Sequence, residues 1–115
     1  MIAESLSKEI ARFILEKKGT DISILNVKNL TSVTDYFVIA TANSDTQSKA
    51  IADYILEKTR DIGERPINKE GFTNFNWVLL DFVDVVVHIF LKDARKFYNL
   101  EGLWGDAEIT RIADE

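Results

Sequence analysis

The single histidine of the chain, His88, is the first candidate for chemistry, because imidazole normally titrates near neutral pH. It lies in an apolar β-type run, where strand alternation places it on one face with Val86 and Phe90. Catalysis would need an acid or a nucleophile to converge on the ring, and Asp81 and Asp84 are near it in sequence. The sequence leaves three roles open: a catalytic group, a contact residue and a structural hydrogen-bonding group.

Three aspartates, Asp35, Asp81 and Asp84, are candidate oxygen ligands for Mg²⁺. A nucleotidyl-transfer enzyme would use such carboxylates at strand ends, together with a Gly-Ser turn that helps to hold a triphosphate. The comparable turn here reads Ala-Asn-Ser-Asp at residues 42–45 and contains no glycine. We therefore favour a structural interpretation, in which this serine caps a helix and the following aspartate complements the helix dipole.

Large aromatic residues are the stronger candidates for binding. Trp77, Leu79 and Asp81 share one face of a strand, which is either a second, smaller core under the N-terminal helix or an exposed patch for a partner. In the C-terminal segment, Tyr98, Leu100, Leu103 and Trp104 lie beside Glu101 and Asp106. These side chains either fold back onto the sheet or form an anchor with an acidic rim; we expect Leu100 to pack and Trp104 to be partly exposed.

Hydrophobic periodicity predicts the order α-β-β-α-β-β-β-α, an α/β (α+β) domain with a mixed sheet of about five strands and helices packed on one face. We expect Gly19 to take the left-handed position that stops the first helix. Ser44 and Gln47 have the spacing of a capping box at the start of the second helix, and Gly63 ends it. Asp93 is expected to cap a short helix that runs through Tyr98.

Two connections are less regular in the sequence. The predicted hairpin around Val83 has neither Gly nor Asn, so a type I turn or a bulge is expected there. The chain after Gly102 is polar and acidic, and we expect it to be frayed. The predicted organisation is one domain over residues 1–104 with an acidic tail over residues 105–115.

Composition limits the possible partners. The chain has 115 residues, 46% of them hydrophobic, and its 14 basic and 19 acidic residues give a net charge of −5. Without a long basic run, direct binding of nucleic acid is not expected, whereas a basic protein partner is favoured. No cysteine and one histidine exclude disulfides and the common zinc ligand sets. The N-terminus lacks the pattern of a secretory signal, and charged residues interrupt the longest apolar stretch, so we expect a cytoplasmic protein without a membrane helix.

Three stretches together carry a family resemblance. They read Thr-Asp-Tyr-Phe-Val-Ile-Ala-Thr at residues 34–41, Asn-Trp-Val-Leu-Leu-Asp-Phe-Val-Asp-Val-Val-Val-His-Ile-Phe at residues 76–90, and Arg-Lys-Phe-Tyr-Asn-Leu-Glu-Gly-Leu-Trp at residues 95–104. With the small-residue turn at 42–44, they resemble the ribosomal silencing factor (RsfS, Iojap) family over nearly the whole chain. Val83 departs from the pattern, since many members have glycine there, and this bears on the geometry of the hairpin.

The resemblance implies a nucleotidyltransferase-like fold without the catalytic acids, and therefore no enzymatic activity and no cofactor. It also implies a homodimer that binds the large ribosomal subunit through the ribosomal protein numbered fourteen, at the intersubunit face. Bound there, the protein would block subunit association and repress translation under nutrient limitation; organellar relatives act in ribosome assembly. The contact residues implied by motif position are Trp77, Asp81, His88, Tyr98, Glu101 and Trp104.

Overall fold

The computed structural model describes residues 2–112 as one sheet covered by helices on both faces. The elements in chain order are α1 (Ala3–Glu16), β1 (Thr20–Asn26), β2 (Tyr36–Ala42), α2 (Asp45–Asp61), β3 (Asn68–Glu70), β4 (Trp77–Asp81), β5 (Val85–Leu91), α3 (Lys92–Tyr98), α4 (Leu100–Leu103) and β6 (Glu108–Arg111). The strand order is β3-β4-β5-β2-β1-β6. Strands β2 and β5 are parallel, whereas the other neighbours are antiparallel, so the sheet is mixed.

The predicted class, a mixed sheet with packed helices, is confirmed, but the structure has one strand more than expected. The additional strand is β6, whose residues pair antiparallel with β1 from Ser23 opposite Arg111 to Asn26 opposite Glu108. The prediction that the chain is frayed after Gly102 is therefore wrong as far as residue 112, because this strand completes backbone hydrogen bonds along the edge of β1. Residues 113–115 of the predicted tail lie outside the described residues.

The main core lies between one face of the sheet and the helices α1 and α2. Helix α1 buries an apolar stripe, and α2 adds a second one with Ile51 and Ile55. The last turn of α1 differs from the prediction, because Lys18 takes the left-handed conformation with φ 68°. Gly19 is buried instead, at a point where a β-carbon would collide with the side chain of Ile14.

The start of α2 is tied to the end of α1 by one side chain. Ser44 Oγ accepts a hydrogen bond from the backbone N–H of Gln47 at 3.1 Å, which confirms the predicted cap. The return bond differs from a capping box, since Gln47 Oε1 accepts from Asn43 rather than from Ser44. The Gln47 amide nitrogen also donates to the carbonyl oxygens of Lys17 and Lys18, at 3.3 and 3.0 Å. Gly63, with φ 81°, follows α2 and confirms the predicted stop.

The C-terminal segment of α3, α4 and β6 covers the opposite face of the sheet. The prediction that the helices pack on one face is therefore wrong. This second cluster has a buried centre of Leu25, Val27, Ile39 and Phe90, and partly buried side chains such as Leu100 and Trp104 pack on it. The second core that the sequence suggested under the N-terminal helix exists, but it lies on the other face of the sheet from that helix.

Candidate protein-docking surface

An exposed group of aromatic rings lies at the junction of β4 and α3. The Trp77 ring centroid is 4.3 Å from that of Tyr98 and 5.0 Å from that of Phe90, and Phe97 meets Tyr98 edge to face at 5.1 Å. Tyr98 is 47% exposed and Phe97 is 81% exposed, whereas Trp77 is partly buried. We call Trp77, Phe97 and Tyr98 the aromatic surface.

The aromatic surface forms one wall of an open cleft. The cleft is also lined by three asparagines, Asn43, Asn74 and Asn76, and by the consecutive charged residues Lys92 and Asp93. Polar groups around a partly buried aromatic centre are the usual arrangement of a protein-binding surface, in which a rim encloses a few anchors. Trp77 therefore combines the two alternatives that the sequence left open. One side of the ring contributes to a surface patch, and the other side packs on the second cluster.

Helix α3, which carries Phe97 and Tyr98 of the aromatic surface, is only seven residues long. Its N-terminal flanking residue is Leu91, which makes no side-chain cap, so the prediction that Asp93 caps this helix is wrong; Asp93 lies in the first turn. The helix ends at Tyr98, and the next residue, Asn99, reverses the chain with a φ of 46° and a ψ of 56°. Asn99 Oδ1 then accepts a hydrogen bond from Gly102 N at 3.2 Å and so caps α4.

Arg95 fastens this segment to the sheet. It donates to both carboxylate oxygens of Glu101, from Nε at 3.3 Å and from Nη2 at 2.7 Å. Its Nη1 donates to Thr41 Oγ1 at 2.8 Å and to the carbonyl oxygen of Asp21, in the irregular part of β1. The side chains of Arg95 and Glu101 are 12% and 22% exposed, so the predicted contact residue Glu101 already has an internal partner.

His88 lies beneath the aromatic surface rather than on it. It is 5% exposed, and its Nδ1 accepts a hydrogen bond from Trp77 Nε1 at 3.0 Å. Burial lowers the pKa of His88 from 6.5 to about 4, because the charged imidazolium would lose its hydration. The ring is therefore neutral at physiological pH, and of the three roles that the sequence left open the structure shows the structural hydrogen bond.

Asp81 shapes the hairpin between β4 and β5. Its Oδ1 accepts from Val83 N at 2.8 Å, and Asp84 N donates to Phe82 O at 3.0 Å across Val83, which has φ 76°. A hydrogen bond that spans two residues around a positive φ defines a strained γ-turn. The predicted type I turn or bulge is therefore replaced by a tighter turn, held by the Asp81 carboxylate.

Trp104 is separate from the aromatic surface in its contacts. It is partly exposed, as predicted, and its ring centroid lies 5.6 Å from that of Phe37. Leu100 packs beside it on the second cluster, which confirms the predicted division of roles between these two residues.

The six predicted site residues thus fall into three groups. Trp77, His88 and Tyr98 are in contact through ring packing and one hydrogen bond. Asp81 lies at the hairpin, while Glu101 and Trp104 lie in the C-terminal segment. Sequence reasoning missed Phe97 as a site residue. Its position directly before Tyr98, at the end of the same short helix, is the signal that could have indicated it.

The aspartates suggested as Mg²⁺ ligands do not form such a site. Across residues 2–112, no group of three or more His, Cys, Asp or Glu side chains is arranged to hold a metal ion. Asp81 is engaged with Val83, and the Asp84 backbone oxygen accepts from the N–H groups of Asp35 and Tyr36, both at 3.1 Å. The geometry gives the nucleotidyl-transfer alternative no converging carboxylate set.

Among the helices of residues 2–112, none combines the length and the apolar character that crossing a membrane requires.

Comparisons with known proteins agree on a family. Residues 2–115 match the model of the family described as "Ribosomal silencing factor during starvation". The ribosomal silencing factor RsfS of Bacillus subtilis is 43% identical over 112 residues, which are 97% of this chain and 95% of the relative. A crystal structure of a protein from Chromobacterium violaceum superposes with a TM-score of 0.88 at 36% identity, covering 91% of this chain and 88% of the other.

Organellar proteins also match. The chloroplastic protein Iojap of Zea mays is 47% identical over 90% of this chain and 45% of its own length. A mouse protein named "Mitochondrial assembly of ribosomal large subunit protein 1" is 27% identical over 92% of this chain and 50% of its own length. With the family model matching almost every residue, the chain belongs to the ribosomal silencing factor family.

Proposed function

We propose that this protein binds the large ribosomal subunit through the ribosomal protein numbered fourteen and thereby sterically blocks subunit association. Under nutrient limitation this block represses translation, in keeping with the family description, which names silencing during starvation. The observation that carries the proposal is the exposed aromatic surface of Trp77, Phe97 and Tyr98, built on an otherwise well-packed domain. A protein bound at the intersubunit face of the large subunit would keep the two ribosomal subunits apart by its bulk alone, without catalysis.

The aromatic surface has the properties of a binding centre. Trp and Tyr are enriched among the few residues that supply most of the binding free energy in protein interfaces. Trp77 is pre-ordered by Phe90 and Tyr98, so little side-chain freedom remains to be lost when a partner binds. Phe97 projects almost fully into solvent and would be buried by any partner seated on the other two rings.

Charge favours a basic protein partner over RNA. The net charge of −5 repels phosphate groups and attracts a cationic protein surface, which speeds productive encounter. Lys92 and Asp93 both line the cleft beside the aromatic surface, so their charges balance there and the electrostatic preference comes from the chain as a whole. We assign Asp81, Glu101 and Trp104 to the periphery of the interface, because Asp81 and Glu101 already hold internal partners and Trp104 packs on Phe37.

We further propose that the protein is a cytoplasmic homodimer without enzymatic activity. A competing arrangement would bury Trp77 between the two protomers, and the aromatic surface would then be unavailable to the ribosome. Sedimentation equilibrium of the wild type and of Trp77→Ala decides this: the docking proposal predicts equal dimer affinity for both. Calorimetry with Mg²⁺-ATP at millimolar concentration tests the enzymatic alternative, and binding of the nucleotide would support it.

A role in assembly of the large subunit is a second candidate function. It is favoured by the mouse relative, whose name refers to assembly of the mitochondrial ribosomal large subunit. The same docking surface would serve both roles, since each begins with binding to a large subunit that has no small subunit attached. Accumulation of incomplete large subunits in cells that lack the protein would support the assembly role.

The binding step is tested by co-sedimentation with isolated large subunits, followed by cross-linking to identify the protein contacted. Trp77→Ala should weaken binding by at least ~2 kcal/mol, or about 30-fold, if Trp77 is a central anchor. Val33→Ala is a matched control, because Val33 is 77% exposed in the loop before β2, at the other end of that strand from the cleft. Equal loss in both variants, or a cross-link to a different ribosomal component, would contradict the proposal.

A further inference from the structure

The contact between Trp77 and His88 connects the aromatic surface to the buried sheet. His88 is central in β5, where Leu79 of β4 lies directly opposite it, and Trp77 is its diagonal neighbour on the same face. The Trp77 indole N–H reaches across to His88 Nδ1 at 3.0 Å. The imidazole is stacked on Phe90, with 8° between the ring planes, and meets Phe37 edge to face. The imidazole is thus packed against two aromatic rings, Phe90 and Phe37, while it accepts a hydrogen bond from a third, Trp77.

The hydrogen bond fixes the protonation state of the imidazole. Indole nitrogen can only donate, so Nδ1 must carry the lone pair and the proton must be on Nε2. In residues 2–112, His88 Nε2 is buried and has no hydrogen-bond partner. A buried donor without an acceptor lowers stability, and a leucine or phenylalanine at this position would avoid that cost. The unpaired Nε2–H of His88 therefore lowers stability, while Nδ1 of the same ring supplies a hydrogen-bond acceptor for Trp77.

That acceptor determines which edge of the indole faces outward. Rotation of a tryptophan ring about its second side-chain torsion has broad, roughly two-fold preferences, so a flipped ring could bury a similar area. Packing on Phe90 and Tyr98 restrains the plane of the ring but not which edge carries the N–H. Only one orientation directs Nε1 to His88, and the burial that keeps the imidazole neutral keeps this lone pair available.

We propose that His88 is a positioning residue for docking: it does not touch the partner, but holds the Trp77 indole in the one orientation that the partner recognises. The inference rests on the proposed function, since it concerns the same surface. It also revises the expectation that His88 is itself a contact residue, because His88 is only 5% exposed.

A matched pair of substitutions separates positioning from packing. In His88→Asn the amide oxygen occupies about the place of Nδ1 and can accept from the indole, whereas His88→Leu has a similar shape and offers no acceptor. A purely structural role would favour leucine, which fills the apolar site without an unpaired polar group. A positioning role favours asparagine for binding, even where asparagine is the less stable of the two. His88→Phe, which keeps a flat ring, replaces the leucine variant if that variant does not fold.

The first readout is the ¹H–¹⁵N signal of the Trp77 indole, assigned by its loss in Trp77→Phe. We expect the wild-type position and slow exchange in His88→Asn, and an upfield shift with faster exchange in His88→Leu. The second readout is co-sedimentation with isolated large subunits. We expect His88→Leu to weaken binding about tenfold or more and His88→Asn to weaken it by less than about threefold. In the Trp77→Phe background, His88→Leu should cause no further loss.

The possible failures are distinguishable. An unchanged indole signal in His88→Leu, or an equal loss of binding from that substitution with Trp77 and with Phe at position 77, would overturn the positioning role. Absence of wild-type binding to large subunits, or full binding by Trp77→Ala, would instead overturn the proposed function. In that second case the indole signal alone still decides whether His88 orients Trp77.

Discussion

Arg95 holds both carboxylate oxygens of Glu101 across the turn between α3 and α4, and the same guanidinium reaches Thr41 in the sheet. This arrangement fixes the C-terminal segment over the second cluster. Because α3 also carries Phe97 and Tyr98, the ion pair indirectly sets the position of the aromatic surface.

Removal of the arginine tests this anchor. In Arg95→Leu, Glu101 keeps a mostly buried carboxylate without its partner, and we expect a loss of about 2 kcal/mol in the free energy of unfolding. Urea denaturation measures it. Lys49→Ala is the control, since the exposed pair of Lys49 and Asp53 should contribute less than about 0.5 kcal/mol. Equal effects of the two substitutions would contradict the assigned role of Arg95.

The strained turn at Val83 gives a prediction of opposite sign. A β-branched residue at φ 76° costs roughly 1–3 kcal/mol, whereas glycine adopts this conformation without strain but loses more chain entropy on folding. We therefore expect Val83→Gly to stabilise the protein by about 1 kcal/mol in thermal or urea unfolding.

Val33→Gly is the control for the glycine effect, because Val33 is also an exposed valine in a loop but is not among the residues with positive φ. That substitution should lower stability slightly. If Val83→Gly destabilised the protein as much as Val33→Gly, the turn would not be strained.

Burial of His88 predicts a dependence of stability on pH. Its pKa is lowered from 6.5 to about 4 in the folded protein, so the unfolded chain binds the additional proton in this range. Stability from this group is constant above pH 6.5 and falls by up to about 1.4 kcal/mol per pH unit as the pH drops towards 4. Urea titrations at several pH values should show this slope in the wild type. In His88→Asn, which cannot titrate, the slope should be reduced; an identical slope would contradict the assignment.

Phe97 and Tyr98 should differ in what their removal changes. Phe97 is 81% exposed, so Phe97→Ala should change the free energy of unfolding by less than about 0.5 kcal/mol while still weakening large-subunit binding. Tyr98→Ala removes the ring that packs on Trp77 and should reduce both stability and binding. Circular dichroism and co-sedimentation on the same samples give the comparison. Unchanged binding by Phe97→Ala would remove Phe97 from the docking surface.

The elements that the sequence predicts well are those with strong local periodicity. Helix α1, helix α2 and strand β5 have repeating apolar positions that report which side chains are buried. Strand β6 was missed because an edge strand with one partner needs little apolar character, and only Ile109 supplies it there. Cover on both faces was foreseeable: five of the six residues from Val85 to Phe90 are apolar, and such runs are typical of strands buried on both sides.

The sequence predicts which residue types form the candidate site, but it does not predict which of their side chains contact each other. The sequence indicates Trp77 and His88 as separate candidates, whereas their hydrogen bond depends on the register that places Trp77 opposite Phe90 and Leu79 opposite His88. The pairing of Glu101 with Arg95 depends on the left-handed residue Asn99 between α3 and α4. Such relations follow from three-dimensional register and turns, which local sequence patterns do not encode.

Subunit joining tests directly whether the protein keeps the large and small ribosomal subunits apart through its aromatic surface. Purified large and small subunits are mixed with excess protein and resolved by sedimentation, with Trp77→Ala and Val33→Ala in parallel. We expect the wild type and Val33→Ala to leave the subunits apart, and Trp77→Ala to allow them to join. Full joining in the presence of excess wild-type protein would rule out a steric block by this protein.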